Sequence, residues 1–252
     1  MHELKLMDVQ KKYKDKEAVR KFNYTFTNGV YGLLGENGAG KTTFIKLLTR
    51  LYEPTEGEIL LNGQNISTFC KEDYYKLFSI VFQDINIFSF SVKENVALDK
   101  KENIDEEKVW ESLKKAGLDK KIAALPDGIN TNLQKNLDEH GVILSGGEAQ
   151  KLVFARSIYK DAPFCILDEP TSALDALAEL HLYQQFDSIL KNKTAIYISH
   201  RLSSTRFCNR ILLFKEGEIV EMGTHDELIK LNGEYCNMFA TQANYYNETK
   251  EN

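Results

Sequence analysis

Gly35-Glu36-Asn37-Gly38-Ala39-Gly40-Lys41-Thr42 is the stretch on which the fold turns. It fits Gly-x4-Gly-Lys-[Ser/Thr], and its setting gives that pattern mechanical meaning. The apolar run Val30-Tyr31-Gly32-Leu33-Leu34 before it reads as a short buried strand. The stretch Thr42 to Leu51 after it reads as a helix, with Phe44, Ile45, Leu47 and Leu48 apolar. Glycines let the backbone wrap so that successive N–H groups and the helix start aim at phosphate oxygens, a concave anion site suited to a triphosphate. In such a site Gly35, Asn37, Gly38, Ala39 and Gly40 supply backbone, and Lys41 reaches the β- and γ-phosphates. The Thr42 hydroxyl goes to Mg²⁺ and Thr43 contacts the α-phosphate. The plainer alternative is a glycine-rich turn that only joins strand to helix. A chance match in a chain this long has a probability on the order of one per cent, which favours nucleotide binding.

Upstream, Leu4, Leu6 and Val9, then Phe22, Tyr24 and Phe26, alternate with polar residues, as antiparallel strands with one wet face do. Downstream, Pro54, Gly57 and Asn62-Gly63 mark turns, the last flanked by Ile59-Leu60-Leu61 and Ile66 in the manner of a hairpin. Phe78 to Phe82 reads as a further strand. From Val92 to Ile158 the pattern turns helical, Glu106 to Ala116 included, with no convincing strand. Phe164-Cys165-Ile166-Leu167 and Thr194 to Ile198 are nearly unbroken apolar runs, the mark of parallel strands covered on both faces. A helix from Leu177 to Leu190 separates them, Ile211–Phe214 and Glu218–Glu221 form a hairpin, and the chain from about His225 reads as helical and polar. The fold class that follows is α/β: a mostly parallel central sheet, an N-terminal antiparallel β-layer and an inserted helical subdomain. The expected organisation is one domain over 1–252, with its core in 1–90 and 159–252 and the helical part in 91–158.

Composition narrows the function classes. Of 252 residues, 42% are apolar and 27% charged, close to ordinary globular averages. The net charge of −5 disfavours a polyanion partner, and the Lys-rich stretch Lys11 to Lys21 is diluted by Asp15 and Glu17. Nucleic acid is therefore not expected. Cys70, Cys165, Cys208 and Cys236 show no Cys-x-x-Cys spacing, so neither a metal site nor a disulfide framework is expected. No apolar run approaches bilayer-spanning length, and the N-terminus lacks the apolar core of a signal peptide. If the protein serves a membrane, other polypeptide is expected to cross it.

Asp168 and Glu169 follow Phe164–Leu167, so a buried parallel strand would deliver two carboxylates to its C-terminal edge, where open α/β sheets bind ligands. Asp168 suits the Mg²⁺ shell, and Glu169 can activate a water that attacks the γ-phosphate. Leu144-Ser145-Gly146-Gly147-Glu148 opens a helix, with two readings open. Either Ser145 and the N–H groups of Gly146 and Gly147 make a second anion site, or Ser145 and Glu148 form a capping box.

Here the sequence resembles the ATP-binding-cassette ATPases, whose signature motif this is, and the resemblance spans nearly the whole chain. It implies a P-loop NTPase fold and adds residues. Tyr13 stands where the family stacks an aromatic on adenine, though a lone Tyr is also a common structural residue. Gln83, after Ser79-Ile80-Val81-Phe82, matches the loop joining the Mg²⁺ site to the helical lobe. Ser172-Ala173-Leu174-Asp175 is similar to the family's D-loop, and His200 to its switch histidine, which hydrogen-bonds the γ-phosphate. The resemblance implies that Lys41, Gln83, Glu169 and His200 are catalytic, and that Thr42, Gln83 and Asp168 hold magnesium. Glu148 replaces the Gln of many members, and Glu36 and Asn37 fill variable positions, but no catalytic group is missing.

The resemblance further implies ATP sandwiched between two chains, with Ser145 and Gly147 of one facing the phosphate loop of the other. It implies transmembrane domains as partners and a place on the cytoplasmic face of the cell membrane. Ile85, Ile87, Phe88 and Phe90 are either a partner patch or core of the helical lobe. Leu137-Asp138-Glu139-His140-Gly141 and Gly223-Thr224-His225-Asp226-Glu227-Leu228 resemble exporter motifs, favouring an exporter over an importer. Non-transport members carry coiled-coil insertions or tandem cassettes, which this chain lacks. A GTPase is disfavoured because Asn192-Lys193-Thr194-Ala195 lacks the guanine-reading Asp.

Overall fold

A computed structural model describes residues 2–14, 16–169, 190, 192–199 and 202–248. Contacts divide the chain into two units, one of 1–78, 163–167 and 190–252, the other of 79–162 and 168–189.

In the first unit, β1 (Leu4–Tyr13) lies between β2 (Lys16–Phe26) and β4 (Glu56–Leu61), both antiparallel to it. Strict alternation from Leu4 and Leu6 would turn residue 8 inward. The register instead shifts between Leu6 and Val9, where Asp8 takes φ 52°, and this extra residue brings Val9 into the core opposite Phe22. The Asn62-Gly63 turn, both residues at positive φ, folds β5 (Gln64–Asn65) back on β4. Ile66, expected in a strand, lies instead in a single 3₁₀ turn, because the Asn65 side chain accepts the Ser67 N–H at 2.9 Å and ends the strand.

The second sheet is built from β3 (Gly29–Leu34), β6 (Phe78–Val81), β7 (Phe164–Asp168), β8 (Thr194–Ile198), β9 (Arg210–Lys215) and β10 (Glu218–Gly223), in the order β10-β9-β3-β8-β7-β6. β3 runs parallel to both β8 and β9, and β10 closes the edge antiparallel to β9. Every residue of β8 is buried, in keeping with its unbroken apolar run.

Helix α1 (Lys41–Leu48) ends three residues before the expected Leu51. Its ladder stops where the Thr49 hydroxyl donates to the Ile45 carbonyl at 2.8 Å and Arg50 turns left-handed at φ 56°. The helix is keyed by Phe44, fully buried, with ring centroids 5.4 Å from Phe22 of β2 and 5.3 Å from Phe214 of β9. A short helix absent from the sequence reading, α2 (Lys71–Lys76), carries buried Tyr74, whose hydroxyl donates to the Leu48 carbonyl at 2.7 Å. The C-terminal segment, expected to be polar, is amphipathic. In α7 (His225–Leu231) and α8 (Glu234–Glu248), Leu228 and Tyr235 join a core with Leu34, Leu202, Ile211 and Leu213.

The second unit contains α3 (Val92–Ala97), α4 (Glu106–Lys115), α5 (Asp119–Ala123) and α6 (Gly146–Lys160), packed through Val96, Val109, Leu113, Ile122 and Leu152. Fully buried Asn95 fixes the stretch before α3: its amide accepts the Phe88 N–H at 2.9 Å and donates to the carbonyls of Phe88 and Ser91. Arg156 of α6 adds bonds to the carbonyls of Asn95 and Asn86, at 2.8 and 3.2 Å, and sits 5.5 Å from the Phe88 ring. Burial lowers the pKa of this guanidinium. Among the described residues no helix is long and apolar enough to cross a membrane.

Phe44→Ala is expected to destabilise the fold by about 3–5 kcal/mol, the range for emptying a packed aromatic site. Denaturant unfolding checks this, and an unchanged midpoint would mean that α1 is not held by that ring.

Candidate functional site

The phosphate loop is shaped by what surrounds it. Gly35 has φ 140°, and a β-carbon there would run into the Phe214 carbonyl of β9. Gly40, the residue before α1, has φ 107°, and a β-carbon there would meet the Ala18 carbonyl of β2. Only glycine satisfies both limits. The Gly217 N–H donates to the Ala39 carbonyl at 2.9 Å, tying the loop to the β9–β10 turn.

Within this frame Lys41 is 8% exposed and folds back over its own loop, donating to the carbonyls of Gly35 and Glu36. The Ala39 N–H closes a turn on Glu36 at 3.2 Å, and the first helical bond runs from Phe44 N–H to the Gly40 carbonyl at 2.9 Å. The N–H groups of the first helical turn precede that ladder and point along the axis toward the loop. Glu36, Asn37, Gly38 and Thr42 are exposed, and Thr43 is half-buried. A basic side chain, a helix N-terminus and an open glycine-rich rim thus meet in one place.

Beside it lies an aromatic platform. Tyr13, 41% exposed, meets Tyr52 edge-on at 6.0 Å, and the ammonium groups of Lys11 and Lys46 lie 5.8 and 5.0 Å from the Tyr52 ring centroid. Desolvation, with the neighbouring Tyr52 phenol, raises the Tyr13 pKa despite a hydrogen bond to Thr43, so the ring stays neutral at physiological pH. A planar heterocycle could stack here next to the phosphate-facing loop. Sequence reasoning named Tyr13 alone; Tyr52 carries no motif and is brought to it by the turn after α1, while Lys46 reaches the Tyr52 ring from within α1.

The remaining described candidates belong to the second unit. Gln83 is exposed in the loop after β6, and Asp168, half-buried, ends β7. Glu169 follows in a left-handed conformation, φ 47°, a sparsely populated geometry for a non-glycine residue. Ser145 caps α6: its oxygen accepts the Glu148 N–H at 3.4 Å, and the Glu148 carboxylate accepts the Ser145 N–H at 2.9 Å. That backbone bond and Lys121, 3.2 Å away, lower the Glu148 pKa. The two readings of this motif are compatible, since a hydroxyl accepting in a cap still donates its proton elsewhere. Ser145 and Gly146 are exposed, and Gly147 is half-buried. His200 and Asp175 lie outside the described residues.

A sequence profile of the family described as "ABC transporter" matches residues 19–172. The chain is 38% identical over 230 residues to ABC transporter B family member 28 of Arabidopsis thaliana, covering 90% of the chain and 32% of that protein. It is 41% identical over 220 residues to the ATP-dependent lipid A-core flippase of Cupriavidus metallidurans, covering 85% and 36%. A solved structure of a bacterial Atm1-family ABC exporter with ATP bound superposes with a TM-score of 0.86 at 32% identity, covering 96% of the chain and 42% of that one. The chain therefore spans about a third to two fifths of the relatives it matches.

Tyr13→Ala is expected to weaken nucleoside triphosphate binding by about 1–3 kcal/mol, the worth of one aromatic–base stack, while Tyr13→Trp retains it. Calorimetric titration checks this, and equal affinity for wild type and the Ala variant would remove Tyr13 from the site.

Proposed function

The chain belongs to the ABC transporter family, and from that premise we propose that it binds ATP between two copies of this domain and hydrolyses it to drive an exporter. The observation that carries the reading is the phosphate loop: Lys41 drawn over the Gly35 and Glu36 carbonyls, at the start of a helix anchored by Phe44. In this proposal the N–H groups of 37–43 grip the phosphates, Lys41 spans the β- and γ-oxygens, and Tyr13 stacks on adenine.

Magnesium fits the donors on offer, since Thr42, Gln83 and Asp168 present a hydroxyl, an amide oxygen and a carboxylate, all hard oxygen ligands. When bound, it would supply positive charge to offset that of the phosphates. Glu169 takes a proton from the attacking water, and His200 holds the γ-phosphate by a hydrogen bond. Ser145, Gly146 and Gly147 of the second copy close over the same triphosphate, with Asp175 at the seam. The closed state binds ATP better than the open one, and that difference is the energy available for transport.

The membrane-spanning partner is proposed to rest on the segment before α3. Phe88 and Phe90 are 43% and 50% exposed, and with Leu98 they line a groove whose rim carries the Glu94–Lys101 ion pair at 3.5 Å. The exporter motifs at 137–141 and 223–228 and the names of the relatives support export. They also support a position at the cytoplasmic face of a membrane.

Glu169→Gln is expected to keep ATP affinity and lower turnover by about 10² to 10⁴, the share of a general base. It should also dimerise with ATP and magnesium under light scattering, since release of the clamp requires hydrolysis. Wild-type turnover in this variant would refute the role given to Glu169.

A further inference from the structure

Tyr13 is the last residue of β1 and is 41% exposed, so the direction of its ring is set by what lies beside it. The turn after α1, by contrast, is fastened along its length. The Arg50 guanidinium donates to the carbonyls of Phe69 and Ser67, at 2.6 and 2.8 Å. The Tyr52 N–H donates to the Lys46 carbonyl at 2.9 Å. The Lys11 ammonium donates to the Glu53 carbonyl at 2.7 Å. Thr55 then bonds β1 twice: its N–H donates to the Gln10 carbonyl at 2.8 Å, and its hydroxyl oxygen accepts the Lys12 N–H at 3.1 Å. Tyr52, half-buried in this turn, is therefore a fixed ring next to a less constrained one.

The two rings meet nearly at right angles, with centroids 6.0 Å apart and planes 74° apart. Aromatic pairs favour this arrangement because the positive rim of one ring lies against the negative face of the other. The Lys11 ammonium, already held by the Glu53 carbonyl, lies 5.4 Å from the Tyr13 centroid and 5.8 Å from that of Tyr52, within the range of cation–π attraction to both. From α1 the Lys46 ammonium donates to the Tyr52 hydroxyl at 3.4 Å. Tyr52 is thus tied by backbone and by side chain to one residue of the helix whose first turn borders the phosphate loop. Lys41 and Lys46 are five residues apart, a rise of about 7.5 Å along α1, so one short helix spaces the phosphate loop from the ring platform.

We propose that Tyr52 is a positioning residue for the nucleobase, holding the Tyr13 ring at the angle at which a base stacks on it. This rests on the reading above that Tyr13 stacks on adenine. A ring ordered in advance loses less freedom when a base lands on it, so the contribution of Tyr52 falls on affinity for the base. The phosphates are gripped by 37–43, so a triphosphate without a base does not sense Tyr52.

The test titrates the 252-residue chain with ATP and with inorganic tripolyphosphate, each with magnesium, in a calorimeter. Tyr52→Leu is expected to weaken ATP binding about three- to tenfold, the worth of one such ring pair, and to leave tripolyphosphate binding unchanged. Tyr52→Phe, which keeps the ring and loses only the bond from Lys46, should bind ATP as the wild type does. In a Tyr13→Ala background Tyr52→Leu should cost nothing further, since the ring through which it acts is gone. In the unliganded wild type, proton cross-relaxation between the two rings is expected. A folded Tyr52→Leu with wild-type ATP affinity, equal losses for ATP and tripolyphosphate, additive losses in the double variant, or no cross-relaxation between the rings would each overturn the inference. Tyr13→Ala alone separates the two claims. If it binds ATP normally, the stacking role of Tyr13 and this inference fall together; if it is weakened while Tyr52→Leu is not, only this inference falls.

Discussion

Everything at the phosphate loop depends on two places where no side chain fits. The carbonyls of Phe214 in β9 and Ala18 in β2 press against Gly35 and Gly40 from two strands, and both glycines hold positive φ. These strands are locked to α1 through Phe44, whose ring touches Phe22 and Phe214. The loop's curvature is thus imposed by the cores of both sheets, and this preorganisation limits the ordering cost of gripping an anion. The buried Lys41, held by the loop's own carbonyls, follows from the same wrap.

A second theme is that single groups serve two ends. Ser145 completes a capping box and keeps a hydroxyl proton for another acceptor, so capping α6 does not use up its donor. Glu221 lies within β10 and its carboxylate holds the first N–H groups of α8, which ties the C-terminal helix to the sheet edge. In the second unit, Asn95 and Arg156 satisfy the backbone of the segment before α3, so that segment can leave Phe88 and Phe90 in solvent without leaving buried polar groups unpaired.

Much of this is legible in the residues because the signals are local. A strand, a glycine-rich turn and an amphipathic helix in succession identify the phosphate loop, and unbroken apolar runs identify β7 and β8. What escapes the sequence is set by tertiary contacts or by single hydrogen bonds. The early end of α1 depends on the Thr49 hydroxyl and the turn at Arg50, and the loss of Ile66 from a strand on the Asn65 cap. Tyr52 reaches Tyr13 only because the chain reverses after α1. The C-terminal helices read as polar because only one face of each carries Leu228 or Tyr235 into the core.

The most direct measurement is an amide chemical-shift map of the labelled chain titrated with ATP and magnesium. The largest shifts should fall on residues 37–43, whose N–H groups meet the phosphates, with the Tyr13 ring moving in parallel. Saturable shifts confined to other residues, with 37–43 unmoved, would contradict the assignment of this loop as the seat of the triphosphate.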